Sequence, residues 1–214
     1  MTSLLIVMYL MMLTAWITCL RVHSHAWRLR DVLLASITLG LVTEVAAMIS
    51  MHLMRSNSVV YNLCVPLEFL LVLWLIHRFR PHWRTVLVVA AVVGCLGMLT
   101  AGSIQDPTVF LLVEGVLVLS AIMAILLLAA LWSLASTSQQ PLQKVPEFWL
   151  FMGLLVYFGG MVPYIGMIRF VFRQDAGLAE KLALIMPLLC IGRYAFIAGA
   201  CVMQERRTRS LLHE

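Results

Sequence analysis

Seven runs of apolar residues, each roughly 20 residues long and closed by a short polar or turn-forming stretch, govern what this chain can become. They cover about 3–20, 32–54, 58–77, 85–103, 108–132, 147–171 and 181–203. The breaks are Arg21 to Asp31, Arg55-Ser56-Asn57, Arg78 to Arg84, Gln105-Asp106-Pro107, Ser136 to Pro146, and Arg173 to Glu180. About 20 apolar residues in a helix span the hydrocarbon core of a bilayer, and a helix satisfies its own backbone polar groups there. The expectation is an all-α polytopic membrane protein, a seven-transmembrane-helix bundle. It forms a single domain over 1–214, of which 204–214 is a short basic cytoplasmic tail. The first run lacks a basic leading region and a small-x-small cleavage site, so it is expected to be a transmembrane helix rather than a signal peptide.

Composition agrees. Apolar and aromatic residues make up 63% of the 214 residues and charged residues 12%, against about 25% charged in soluble domains. The mean hydropathy is +0.99. These values exclude a soluble enzyme, a disordered chain and a nucleic-acid-binding module. The net charge of +5 is therefore read as orientation. Arg21, Arg28, Arg30, Arg78, Arg80, Arg84, Lys144, Arg206, Arg207 and Arg209 fall on one face, ten in all, and Arg55, Arg173 and Lys181 on the other. Arg169 lies near that second face. The bias predicts an N-terminus outside and a C-terminus in the cytoplasm, in a multi-pass protein of the plasma (bacterial inner) membrane. Trp27, Trp83, Trp132 and Trp149 fall at the cytoplasmic boundary and Trp16 and Trp74 in the cytoplasmic third of their runs, as an anchoring belt would place them. Cys19, Cys64, Cys95, Cys190 and Cys201 all lie in apolar runs and read as small apolar side chains.

Runs two and six align: Gly40-Leu41-Val42-Thr43-Glu44-Val45-Ala46-Ala47-Met48 lies over Gly153-Leu154-Leu155-Val156-Tyr157-Phe158-Gly159-Gly160-Met161. Pro66-Leu67 and Pro187-Leu188 then follow in runs three and seven, and run four carries no charged residue. This suggests a three-plus-one-plus-three plan with two parallel repeats. The plan resembles the architecture shared by sugar-efflux carriers, PQ-loop carriers, the ER-retention-signal receptor and the opsins. Phe148-Trp149, Gly153 and Val156-Tyr157-Phe158 resemble a motif of small bacterial seven-helix proteins of unknown function. The Pro-Gln dipeptide of the PQ-loop carriers is missing, and run seven has no internal lysine for a retinal Schiff base. No site residue is carried over.

Ionisable residues within the apolar runs are the main functional signal, because a charge at the bilayer centre costs several kcal/mol and needs a partner, water or a proton. Glu44 lies about ten residues from the outer end of run two, Glu68 about ten from the outer end of run three, and Arg193 about twelve from that of run seven. Glu114 is expected in the outer third of run five. Pro66 and Pro187 are expected to open their helices locally, admitting polar groups. Glu68 and Arg193 are candidates to pair, either as part of a site or as a bridge fixing helix register. Carboxylates then outnumber the guanidinium, so Glu44 is expected to hold an exchangeable proton. Above these lie His52, Tyr61, Asn62 and Tyr164, with Tyr157 at the depth of the carboxylates. They are candidates to line an outward cavity, or else headgroup-level side chains and interhelical contacts. Gly159-Gly160, Pro163, Gly94 and Gly97 are expected at close helix contacts.

No HExxH, GxSxG, Walker A or Rossmann pattern occurs. Neither a catalytic residue, a cofactor nor a metal is assigned. His23, His25, His77 and His82 read as solvated side chains beside arginines, and Arg206, Arg207 and Arg209 as contacts to anionic headgroups. The leading expectation is translocation of a small solute or ion coupled to protons, through a Glu/Glu/Arg midplane site. The alternative is a ligand-sensing seven-helix receptor or regulatory subunit that signals through a membrane partner. The partners are the lipid bilayer and the solute or proton, and no nucleic acid.

Overall fold

The computed structural model describes residues 2–22, 27–54, 56–106, 111–174, 177 and 181–212. Seven long α-helices run through them: α1 (Thr2–Arg21), α2 (Arg30–Met54), α3 (Ser58–Phe79), α4 (Arg84–Ile104), α5 (Val113–Thr137), α6 (Pro146–Gln174) and α7 (Ile185–Leu212). Each is long and apolar enough to cross a membrane. An integral membrane protein in contact with a lipid bilayer has this construction.

Local chemistry sets the helix ends. Pro81 drives Arg80 out of the helical region (φ −130°, ψ 81°) and so ends α3. One 3₁₀ turn, Pro81–Trp83, then leads into α4. Pro146 occupies the first position of α6, where its missing N–H costs nothing. The same argument applies to Pro187. It stands in the first turn of α7, where no bond of that helix is lost, and it follows a turn at Ala183 and Leu184 that separates α7 from the helical residues Lys181 and Leu182. Pro66 and Pro163 do lie inside α3 and α6.

Both ends of α5 and α7, and the end of α6, differ from the apolar runs by three residues or more. The fifth helix begins at Val113 and continues to Thr137, because the Ser136 and Thr137 hydroxyls donate to the Ser133 carbonyl within its last turn (3.1 and 2.8 Å). The expected basic tail is helical as far as Leu212: α7 runs on through Arg206, Arg207 and Arg209, with Arg209 paired to Glu205 one turn back. Polarity ends an apolar run without ending a helix.

The chain divides into two compact units. The first comprises Met1–Arg30 and Met123–Glu214 and holds α1, the later part of α5, α6 and α7. Within it α7 packs against both α1 and α6. Met8, Met12, Ala15 and Cys19 form the buried stripe of α1, while Ile6, Leu10, Leu13 and Ile17 form its exposed one. In lipid, apolar surface gains little by leaving its surroundings, so such seams depend on close packing. Cys19 and Cys201 are both fully buried, and their thiols are within hydrogen-bonding reach of each other. Both are free.

The second unit, Asp31–Ile122, holds α2, α3, α4 and the start of α5. Serines tie the α2–α3 connection: the Ser50 hydroxyl donates to the Ser56 carbonyl at 2.7 Å, and the Ser58 N–H donates to Ser56 Oγ at 3.3 Å. Gly94 lets α4 approach its neighbours, since a Cβ there would lie 2.7 Å from Leu119 and 2.8 Å from Phe69.

Candidate functional site

In the first unit the polar centre is Arg193. It is 2% exposed, eight residues into α7, about 12 Å along the helix axis. Its guanidinium carbon lies 4.8 Å from the ring centroid of Tyr157, 5.2 Å from that of Tyr194 and 6.0 Å from that of Phe158. Ring faces carry negative charge density and take over part of the work of water around a buried cation, about 2 kcal/mol for a desolvated pair.

The α6 sequence places those rings. Trp149 stacks on Phe196 of α7 (centroids 5.7 Å apart, 18° between planes). One turn on, a Cβ on Gly153 would lie 2.5 Å from Phe196 Cβ and 3.1 Å from the Arg193 carbonyl oxygen. Another turn on is Tyr157, and a Cβ on Gly160 would lie 2.6 Å from the Leu189 side chain. Positions 149, 153, 157 and 160 recur at helical spacing, so the aromatic-glycine motif of α6 is its contact line with α7. Gly159 is off that line, since a Cβ there would meet only Leu155 of its own helix, at 3.8 Å. Tyr164 lines a small apolar cavity of about 120 Å³ with Gly160, Pro163, Met167, Leu182 and Ile185.

In the second unit the Tyr61 hydroxyl donates to Glu44 Oε1 at 3.3 Å. Both side chains are half-buried. Glu44 stands ten residues before the end of α2, and Glu68 ten residues after the start of α3, each about 15 Å from that helix end. Glu68 is half-buried and lies two turns along α3 from Tyr61.

Other predicted residues lie elsewhere. Asn62 Oδ1 accepts the Leu112 N–H at 3.0 Å and so fixes the approach to α5. Glu114 was expected in the outer third of a span. It stands at the second position of α5, within the first third of that helix, exposed and accepting from Gln105 Nε2 at 3.0 Å. A helix N-terminus favours a carboxylate there. His52 is exposed in the last turn of α2, where a helix C-terminus favours a cation.

The tryptophans divide. Trp132 is 79% exposed, as a belt residue would be. Trp27 is buried instead, its Nε1–H donating to Glu147 Oε1 at 3.0 Å, because a tertiary contact and not a headgroup receives the indole. The sequence alone does not mark Tyr194 and Phe158 as contacts of Arg193. Their adjacency to Arg193 and Tyr157 in apolar runs was the available signal. Among the described residues no group of three or more His, Cys, Asp or Glu is placed to hold a metal ion. His23 and His25 lie outside the described residues.

In comparison with known proteins, the chain matches no family model, no curated protein and no solved structure. Fold and polar groups define its class: an all-α chain whose seven helices suit a membrane.

Proposed function

We propose that this chain translocates a small solute or ion across a membrane, coupled to protons, with Glu44 carrying the exchangeable proton. The observation that carries the reading is the half-buried Glu44 carboxyl, deep in an apolar helix and hydrogen-bonded by the Tyr61 hydroxyl. A carboxyl at that depth trades a proton at low cost compared with carrying a bare charge, and a phenol partner offers a relay atom. Glu68, in the same unit, is a second acceptor. Arg193 supports the reading separately. A permanent cation held by aromatic rings suits an anionic group of a solute, and a guanidinium keeps its proton under all relevant conditions.

The test is proton flux into vesicles containing the purified chain, with an internal pH dye and an imposed pH gradient and membrane potential. The expected result is flux that Glu44→Gln abolishes and Tyr61→Phe reduces about tenfold, the loss of roughly one charged hydrogen bond. Flux equal in wild type and Glu44→Gln would remove Glu44 from the path. Absence of flux from folded wild type, with or without added solutes, would instead favour the ligand-sensing reading.

A further inference from the structure

The reversal from α3 into α4 concentrates positive charge. His77, Arg78, Arg80, His82 and Arg84 fall within eight residues. Among the described residues at that end of the second unit, the one carboxylate is Asp31, in the first turn of α2. The outward face of α3 leads directly to this charge. Leu63, Leu67, Leu70 and Trp74 are exposed at helical spacing, Trp74 by 49%, and the next residue on the stripe is the exposed Arg78. Its guanidinium carbon stands 5.7 Å from the Trp74 ring centroid. The neighbouring α4 repeats the order, with exposed Arg84 followed by exposed Val88, Val92, Leu96 and Leu99. From Trp74 to Leu63 is eleven residues, about 16 Å of helix and close to half of a hydrocarbon core about 30 Å thick.

We propose that this surface holds one anionic phospholipid, its phosphate between Arg78 and Arg84 and its acyl chains along the α3 and α4 stripes. Charge complementarity selects the occupant. A guanidinium fork matches two phosphate oxygens. The Trp74 ring holds Arg78 by a cation–π contact at the level where an indole favours the headgroup boundary. A zwitterionic lipid brings an ammonium that opposes the arginines, and a second copy of this chain would bring the same positive patch against itself.

The experiment is native mass spectrometry of the full chain extracted from vesicles containing equal parts phosphatidylglycerol and phosphatidylcholine. The expected result is one retained phosphatidylglycerol. Its retention should fall about tenfold in the Arg78→Gln/Arg84→Gln variant and persist in an Arg28→Gln/Lys144→Gln control, at two exposed positions away from the stripe. Vesicles whose phosphatidylglycerol alone carries brominated chains should quench wild-type fluorescence more than that of Trp74→Phe. If the glutamine variant fails to fold, Arg78→Lys/Arg84→Lys decides, because it keeps the charge and loses the fork, and lower retention is expected. Equal retention of the two lipids, unchanged retention in the folded arginine variants, or a chain dimer in place of bound lipid would each overturn the proposal.

Discussion

The Arg193 guanidinium of α7 stands 4.8 Å from the centre of the Tyr157 ring of α6, at a position sealed from solvent. The pair joins the two helices where the cation has little water to rely on. Tyr157→Phe preserves the ring face and is expected to change stability by under about 1 kcal/mol, whereas Tyr157→Leu removes the face and is expected to cost about 2 kcal/mol. Thermal unfolding in detergent measures both. Equal losses would show that the ring contributes volume alone.

The α6–α7 seam depends on a missing side chain. Gly153→Ala puts a methyl 2.5 Å from Phe196 Cβ, on a stem that cannot swing away. A cost of about 1–3 kcal/mol is expected. In Gly160→Ala the obstacle is the mobile end of Leu189, so the loss is expected to be smaller. Gly199→Ala meets nothing within 4 Å and is expected to stabilise α7 by up to about 1 kcal/mol. The same unfolding assay gives the order, and Gly153→Ala as mild as Gly199→Ala would contradict the close approach.

Asn62 is expected to act as a structural acceptor. Asn62→Leu leaves the Leu112 N–H without its side-chain acceptor, at about 1–3 kcal/mol. Hydrogen exchange is expected to quicken at the first turn of α5 before anywhere else.

The two kinds of tryptophan separate on substitution. Trp27→Phe loses the indole bond to Glu147 and is expected to destabilise by about 1.5–3 kcal/mol. Trp132→Phe, at a 79% exposed position, is expected to stay within about 0.5 kcal/mol in detergent.

Much of the fold was legible from apolar run length. The start of α3 at Ser58 agrees with its run, and α1, α2 and α4 agree within two residues at every end. The larger departures are at α5 and α7, where polar residues with hydrogen-bonding side chains continue the helix beyond its apolar run. The candidate site was legible only as a set of residue types. Glu44 with Tyr61, and Arg193 with Tyr157, were named as polar groups in apolar surroundings. Their pairings depend on helix rotation, and a run apolar on every side leaves that rotation open.

By itself, the sequence determined seven helices suited to a bilayer, because each backbone must satisfy its own hydrogen bonds over about 30 Å of hydrocarbon. It also determined that Glu44, Glu68 and Arg193 lie within those helices. The tertiary structure decided what each one meets. It laid Trp149, Gly153, Tyr157 and Gly160 against α7, buried Trp27 on Glu147, and left Glu114 at an exposed helix start. The physical reason is that a single helix can satisfy its own backbone, whereas a buried cation or indole requires a group from a distant part of the chain.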